Sequence, residues 1–87
     1  MTYKIIILKR AQKGVRRVPF KDKQRIAYAI ASLALNPFQG KQLQGEHSGA
    51  WAIRVWTYRI IYTIDRNTIT VTVIKIGHRK DVYEKLR

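Results

Sequence analysis

A chain of 87 residues with 18 Lys and Arg against 5 Asp and Glu, a formal net charge of +13, has room for one hydrophobic core, so residues 1–87 read as a single domain. With no cysteine, no apolar run of membrane-spanning length and no signal-peptide pattern after the N-terminal IIIL, the sequence excludes a disulfide framework, a thiolate metal site and a membrane address, and it implies a cytoplasmic setting. The charge selects polyanionic partners, nucleic acid, an acidic protein or, less favoured here, an anionic membrane surface, over a merely basic soluble surface, because so large an imbalance repels itself in the compact state.

Residues 3–8, YKIIIL, are apolar and β-branched without clean alternation, which predicts a short buried strand. Residues 9–18, KRAQKGVRRV, predict a basic first helix that ends near Pro19, since the residue before a proline avoids the helical region; Gly14 inside it counts against the assignment. The cations Lys9, Arg10 and Lys13 of this helix are candidate contacts for an RNA backbone. Within residues 20–37, Ile26, Ala27, Ile30, Leu33 and Ala34 recur at helical spacing, Asp22 falls in the first turn and Asn36-Pro37 supplies the stop. Three glycines and polar content mark 38–49 as a loop.

Three strands follow at 51–56, 58–65 and 68–76, the last two joined around Asp65-Arg66-Asn67. In the middle strand Tyr58, Ile60, Tyr62 and Ile64 share the face expected to pack on the helices, while Arg59, Ile61, Thr63 and Asp65 share a semi-polar face. The tail, 77–87, opens on a glycine and closes as a short helix. The order β-α-α-β-β-β predicts an α+β domain, two N-terminal helices packed on a largely antiparallel four-stranded sheet with a short C-terminal helical tail.

An even, symmetric turn between the first two of these three strands places Arg54 directly opposite Arg59, where like charges destabilise. Closure of the next hairpin at Arg66-Asn67 sets Arg59 opposite Ile74, and a chain leaving the sheet at Gly77 brings His78, Arg79 and then Tyr83 to the same side. The convergence depends on register: a three-residue first turn undoes it. Such a cluster has the chemistry of a phosphate site. Guanidinium groups are permanently charged and grip phosphate oxygens bidentately, and each one aimed at transition-state charge is worth on the order of 10²- to 10³-fold in rate. Asp65 and Asp81 are isolated in the sequence, so neither a magnesium site nor any other cofactor is called for. The plainer alternatives are solvated edge residues for the arginines, a core or capping residue for Tyr83, an ordinary exposed side chain for His78 and for His47, and packing rather than base stacking for Trp51 and Trp56.

The succession LNPFQGKQLQG, WAIRVWTYRIIYTI and VIKIGHRKDVY, with the opening YKIII and AQKGVRRVP, resembles the RelE/ParE superfamily of toxins from type II toxin–antitoxin pairs, over nearly the whole chain. The pieces R-V-x-x-Y-R-I-I-Y and G-H-R-x-x-V-Y at this spacing carry most of the likeness. The resemblance implies a small microbial RNase fold which, in the RelE branch, enters the ribosomal A site and cuts mRNA. The implied chemistry is attack of a ribose 2′-oxygen on the adjacent phosphate, giving a 2′,3′-cyclic phosphate and a 5′-hydroxyl. It further implies cleavage roles for Arg59, Arg79 and Tyr83, an acidic RelB-like antitoxin as partner, and ribosomal RNA as a contact. Relatives carry two lysines where this chain has Ala52 and Arg54. Arginine stays protonated, so His78, a side-chain type that titrates near neutrality, is the substitute candidate for proton transfer, and Arg54 is left as an RNA-binding cation. The ParE branch poisons DNA gyrase on the same fold without the cleavage set, and is the alternative.

Overall fold

A computed structural model of the chain describes residues 2–80 and Val82. The elements are β1 (Lys4–Ile7), α1 (Lys9–Gly14), α2 (Phe20–Leu35), β2 (Lys41–Gln42), β3 (Trp51–Val55), β4 (Tyr58–Asp65) and β5 (Thr70–His78), with 3-10 turns at Pro37–Gln39 and Gly45–His47. The sheet order is β1-β5-β4-β3-β2. β1 runs parallel to β5, and the other pairs are antiparallel.

The helices cover one face of the sheet because the two periodicities meet there. Ile26 and Leu33 of α2 are buried against Ile60 and Tyr62 of β4 and Val71, Val73 and Ile76 of β5, together with Ala11 of α1. Asn36 ends α2, and its side chain accepts the Phe38 N–H at 3.2 Å, starting the 3-10 turn at Pro37. On the other face a smaller apolar cluster joins Ala50, Ala52, Ile61 and Val82, with Leu43 and Ile74 packed on it. The semi-polar face expected for Arg59, Ile61 and Thr63 is thus apolar at its centre. None of the described helices is long and apolar enough to cross a membrane.

The structure corrects four details of the sequence reading. The first helix stops at Gly14 rather than running to residue 18. A Cβ at Gly14 would collide with the Ile76 carbonyl, so the glycine lets α1 lie directly on β5. It does so where β1, paired only from Thr70 to Val73, leaves the β5 edge bare, and Arg10 Nε donates to the Ile74 carbonyl there at 2.9 Å.

Among the described residues the sheet also has five strands, not four. Lys41 and Gln42, inside the segment read as a loop, pair with Ala52 and Trp51. The close approach is possible at Gly40, where a Cβ would come within 2.7 Å of the Ala52 carbonyl oxygen.

The last hairpin closes on a four-residue turn, Asp65 pairing with Thr70, and a bulge interrupts the ladder at Ile61/Tyr62, so that Ile61 faces Lys75 and Tyr62 faces Val73. The Asp65 carboxylate accepts the N–H groups of Asn67 and Thr68 at 2.9 and 3.2 Å, and this local cap favours the longer turn over closure at Arg66-Asn67. Finally, β5 does not leave the sheet at Gly77 but runs through it to His78. The expected C-terminal helix falls largely outside the described residues; Val82 N–H donates to the His78 carbonyl at 3.0 Å.

Candidate functional site

The β3–β4 hairpin closes on a two-residue turn, Val55 pairing with Tyr58, so Arg54 and Arg59 are direct cross-strand partners as the even turn requires. Arg54 is exposed and Arg59 half-buried. Like charges at this separation repel by up to about 1 kcal/mol on a sheet surface. Moreover, Nη1 of Arg59 is buried and has no hydrogen-bond partner among the described residues, a costly state for a charged donor unless an acceptor is supplied.

Both arginines line one recess of about 560 Å³, with Gly40, Lys41 and Leu43 on its far wall. Lys41 is the functional candidate that the sequence reading missed. It pairs with Ala52, and strand alternation therefore sets it on the face that carries Arg54 and Arg59. A strand of two residues has no periodicity to read, which is why the position passed as loop. Tyr62 fixes this wall from behind: its hydroxyl donates to the Pro37 carbonyl at 2.7 Å. Burial pushes the Tyr62 phenol above its ordinary pKa, and a backbone hydrogen bond from Gly40 partly offsets that.

On the other side of Arg59 the register departs from the expectation. Arg59 lies opposite Gly77, not Ile74, because the four-residue turn and the bulge together move β5 by three positions. His78 consequently pairs with Tyr58, on the helix-facing side, with ring centroids 6.2 Å apart edge to face. It does not join Arg54 and Arg59 on their face. Its Nδ1 accepts the Lys80 N–H at 3.3 Å, which leaves Nε2 to carry the ring proton in the neutral form. His78 shares a second recess of about 570 Å³ with Lys13, Arg16, Arg17 and Gly77.

Arg79 is exposed, and its backbone N–H donates to the Thr57 carbonyl in the β3–β4 turn at 2.8 Å, which anchors the end of β5 beside the arginine hairpin. Lys9 and Arg10 are exposed on α1; Arg10 is already engaged with Ile74. Tyr83 lies outside the described residues. The structure therefore joins Arg54, Arg59 and Lys41 in one recess, and His78 with Lys13 in another.

Comparison with known proteins places the fold in a family. Residues 5–83 match the ParE toxin family of the type II toxin–antitoxin system parDE. Toxin RelG of Mycobacterium tuberculosis is 29% identical over 87 residues, covering 98% of this chain and 100% of that protein. Among solved structures, the RelBE2 toxin–antitoxin complex of M. tuberculosis superposes with a TM-score of 0.81 at 27% identity, over 91% of this chain and 100% of the other. The archaeal RelE–RelB complex of Pyrococcus horikoshii shares the fold at a TM-score of 0.77 and 24% identity, over 91% and 97% of the two chains. The chain belongs to the ParE toxin family of type II toxin–antitoxin systems, within the RelE/ParE superfamily.

Proposed function

We propose that this toxin is an mRNA interferase, an endoribonuclease that cuts mRNA in the ribosomal A site in the cytoplasm and so arrests translation. The observation that carries the reading is Arg59: a guanidinium whose Nη1 is buried without a partner among the described residues, set directly across from a second guanidinium. This pair is preorganised for an anion, and a bridging phosphate converts its repulsion into attraction.

In the proposed reaction the ribose 2′-oxygen forms a bond to the adjacent phosphorus, the bond from phosphorus to the 5′-oxygen breaks, and the products are a 2′,3′-cyclic phosphate and a 5′-hydroxyl. The 2′-hydroxyl gives up a proton and the leaving 5′-oxygen gains one. Arg59 stabilises the charge that builds on the non-bridging oxygens, the largest contribution a protein group makes to such a step. Arg54 holds the RNA backbone. Among the described residues of the recess Lys41 is the one side-chain type able to give up its proton, since arginine stays protonated, and it takes the acid–base role that Ala52 and Arg54 cannot. Arg79 contributes charge from the end of β5, and His78 contacts the RNA flank from the other side of the sheet.

The partner that holds the toxin silent is an acidic RelB-like antitoxin. The similar structures from M. tuberculosis and P. horikoshii are toxin–antitoxin complexes, and a +13 surface favours an acidic segment that orders on binding. The second reading, a gyrase poison, is favoured by the match to the ParE family. Primer extension on cellular messages after induction separates the two. Cuts at codon positions in translated mRNA support the interferase, DNA damage without cuts supports the gyrase poison, and neither leaves an inactive nucleic-acid-binding module.

A further inference from the structure

The tip of the β3–β4 hairpin carries a feature that the phosphate site does not use. Trp56 adopts φ of 57°, the left-handed region that a bulky L-residue enters only at a cost and that glycine, asparagine or aspartate would occupy more cheaply. Trp56 is nevertheless 64% exposed, so little burial offsets that cost. One ring face is backed by the Arg25 guanidinium, 4.5 Å from the centroid. Arg25 is itself steered by Asp22, one helical turn earlier, through a 3.1 Å ion pair. On the exposed side of α2, Lys21, Gln24, Arg25 and Tyr28 line a shallow recess of about 500 Å³, and the Tyr28 ring is 81% exposed.

We propose that Trp56 and Tyr28 form a stacking platform for unpaired bases of single-stranded RNA, with Arg25 and Lys21 contacting the backbone between them. Exposed aromatic rings interleaved with cations are the construction by which proteins hold single strands without reading their sequence. A strained residue whose side chain is left in solvent is an outlier of the kind retained for function rather than for folding. The position suits it: Arg54 flanks the same turn on the opposite sheet face, and Arg79 is tied to Thr57 within the turn at 2.8 Å. A strand leaving the Arg54–Arg59 recess thus rounds the hairpin tip onto the rings. The inference rests on the RNA reading of the recess and adds a base-recognition surface to it.

The test uses the full chain with Trp51→Phe, which leaves Trp56 as the sole tryptophan, titrated with a non-cleavable 2′-O-methyl single-stranded oligonucleotide and, separately, with inorganic polyphosphate. The inference expects oligonucleotide to quench Trp56 emission and polyphosphate to bind without quenching. It also expects Trp56→Gly to bind the oligonucleotide roughly tenfold or more weakly, to bind polyphosphate as before, and to melt no lower than the parent, because glycine relieves the backbone strain. Tyr28→Ala weakens oligonucleotide binding in the same sense. Unchanged oligonucleotide affinity in Trp56→Gly, or a lower melting temperature that accounts for the loss, overturns the platform and leaves the arginine site standing. A parent protein that binds polyphosphate but shows no preference for the oligonucleotide overturns both.

Discussion

Arg59 and Gly77 are register partners in β4 and β5, and each lines a different basic recess, the first shared with Arg54 and Lys41 and the second with Lys13 and His78. Arg59 thus sits at the junction of two cationic surfaces, and the glycine beside it presents no side chain to that junction. Arg54 lies one strand further out and is exposed. Replacing Arg54 with Ala removes one of two facing like charges, so the melting temperature stays level or rises slightly, by the equivalent of up to about 1 kcal/mol. RNA affinity falls and its salt slope flattens by about 0.7 for the one lost phosphate contact to a single strand, while the saturated cleavage rate changes little. Thermal melts and salt titrations of the variant check both halves.

Lys41 separates charge from proton exchange. Lys41→Arg keeps a cation on the recess wall but replaces an ammonium, which can serve as a proton donor, by a guanidinium, which stays protonated. It is expected to bind RNA as the parent does and to cleave more slowly by about 10²-fold or more, the scale of general acid–base catalysis. Single-turnover rates at saturating protein measure this. A Lys41→Arg rate equal to that of the parent would return Lys41 to a purely electrostatic role.

The Tyr62 hydroxyl gives a stability prediction with a defined sign. Burial raises its pKa above the ordinary value of 10.0, so the folded state holds the phenol proton more tightly than the unfolded chain does. The stability this contributes is complete below pH 10, where both states are protonated, and is lost as pH rises through the folded-state pKa. Tyr62→Phe also strips the partner from the Pro37 carbonyl and is expected to cost about 1–3 kcal/mol at neutral pH, with a shallower alkaline decline than the parent. Denaturant unfolding across pH 7 to about 11 reads both effects.

The cations of α1 divide by their contacts. Arg10 bonds the carbonyl of Ile74 at the β5 edge, and Arg10→Ala should lower stability by about 0.5–1.5 kcal/mol. Lys9→Ala and Lys13→Ala should leave melting unchanged. If α1 faces RNA, the two lysine changes together reduce the salt slope by roughly 1.4 on a single strand; an unchanged slope in that double variant removes α1 from the binding face.

Legibility in the sequence followed the length of the local signal. Ile26 and Leu33 repeat over a 16-residue helix that Asn36 ends, and the Arg54–Arg59 pairing required only that the turn hold two residues. β5 was harder because its register depends on the Asp65 cap, which lengthens the turn, and on a bulge at Ile74, which no composition signal marks. Those two features together moved Gly77 to face Arg59 and turned His78 toward Tyr58. Lys41 was hidden for the same kind of reason: its strand is delivered by Gly40 against the Ala52 carbonyl, a tertiary approach rather than a local preference.

Arg59 is the centre of the proposed phosphate site, and the most direct test is Arg59→Ala with mRNA cleavage on programmed ribosomes and thermal melting measured on the same preparation. Because Nη1 of Arg59 has no hydrogen-bond partner among the described residues to lose, the melting temperature should hold or rise, while single-turnover cleavage falls by about 10²-fold or more. A fall in melting temperature that matches the loss of activity, or cleavage at the parent rate, would contradict the phosphate site.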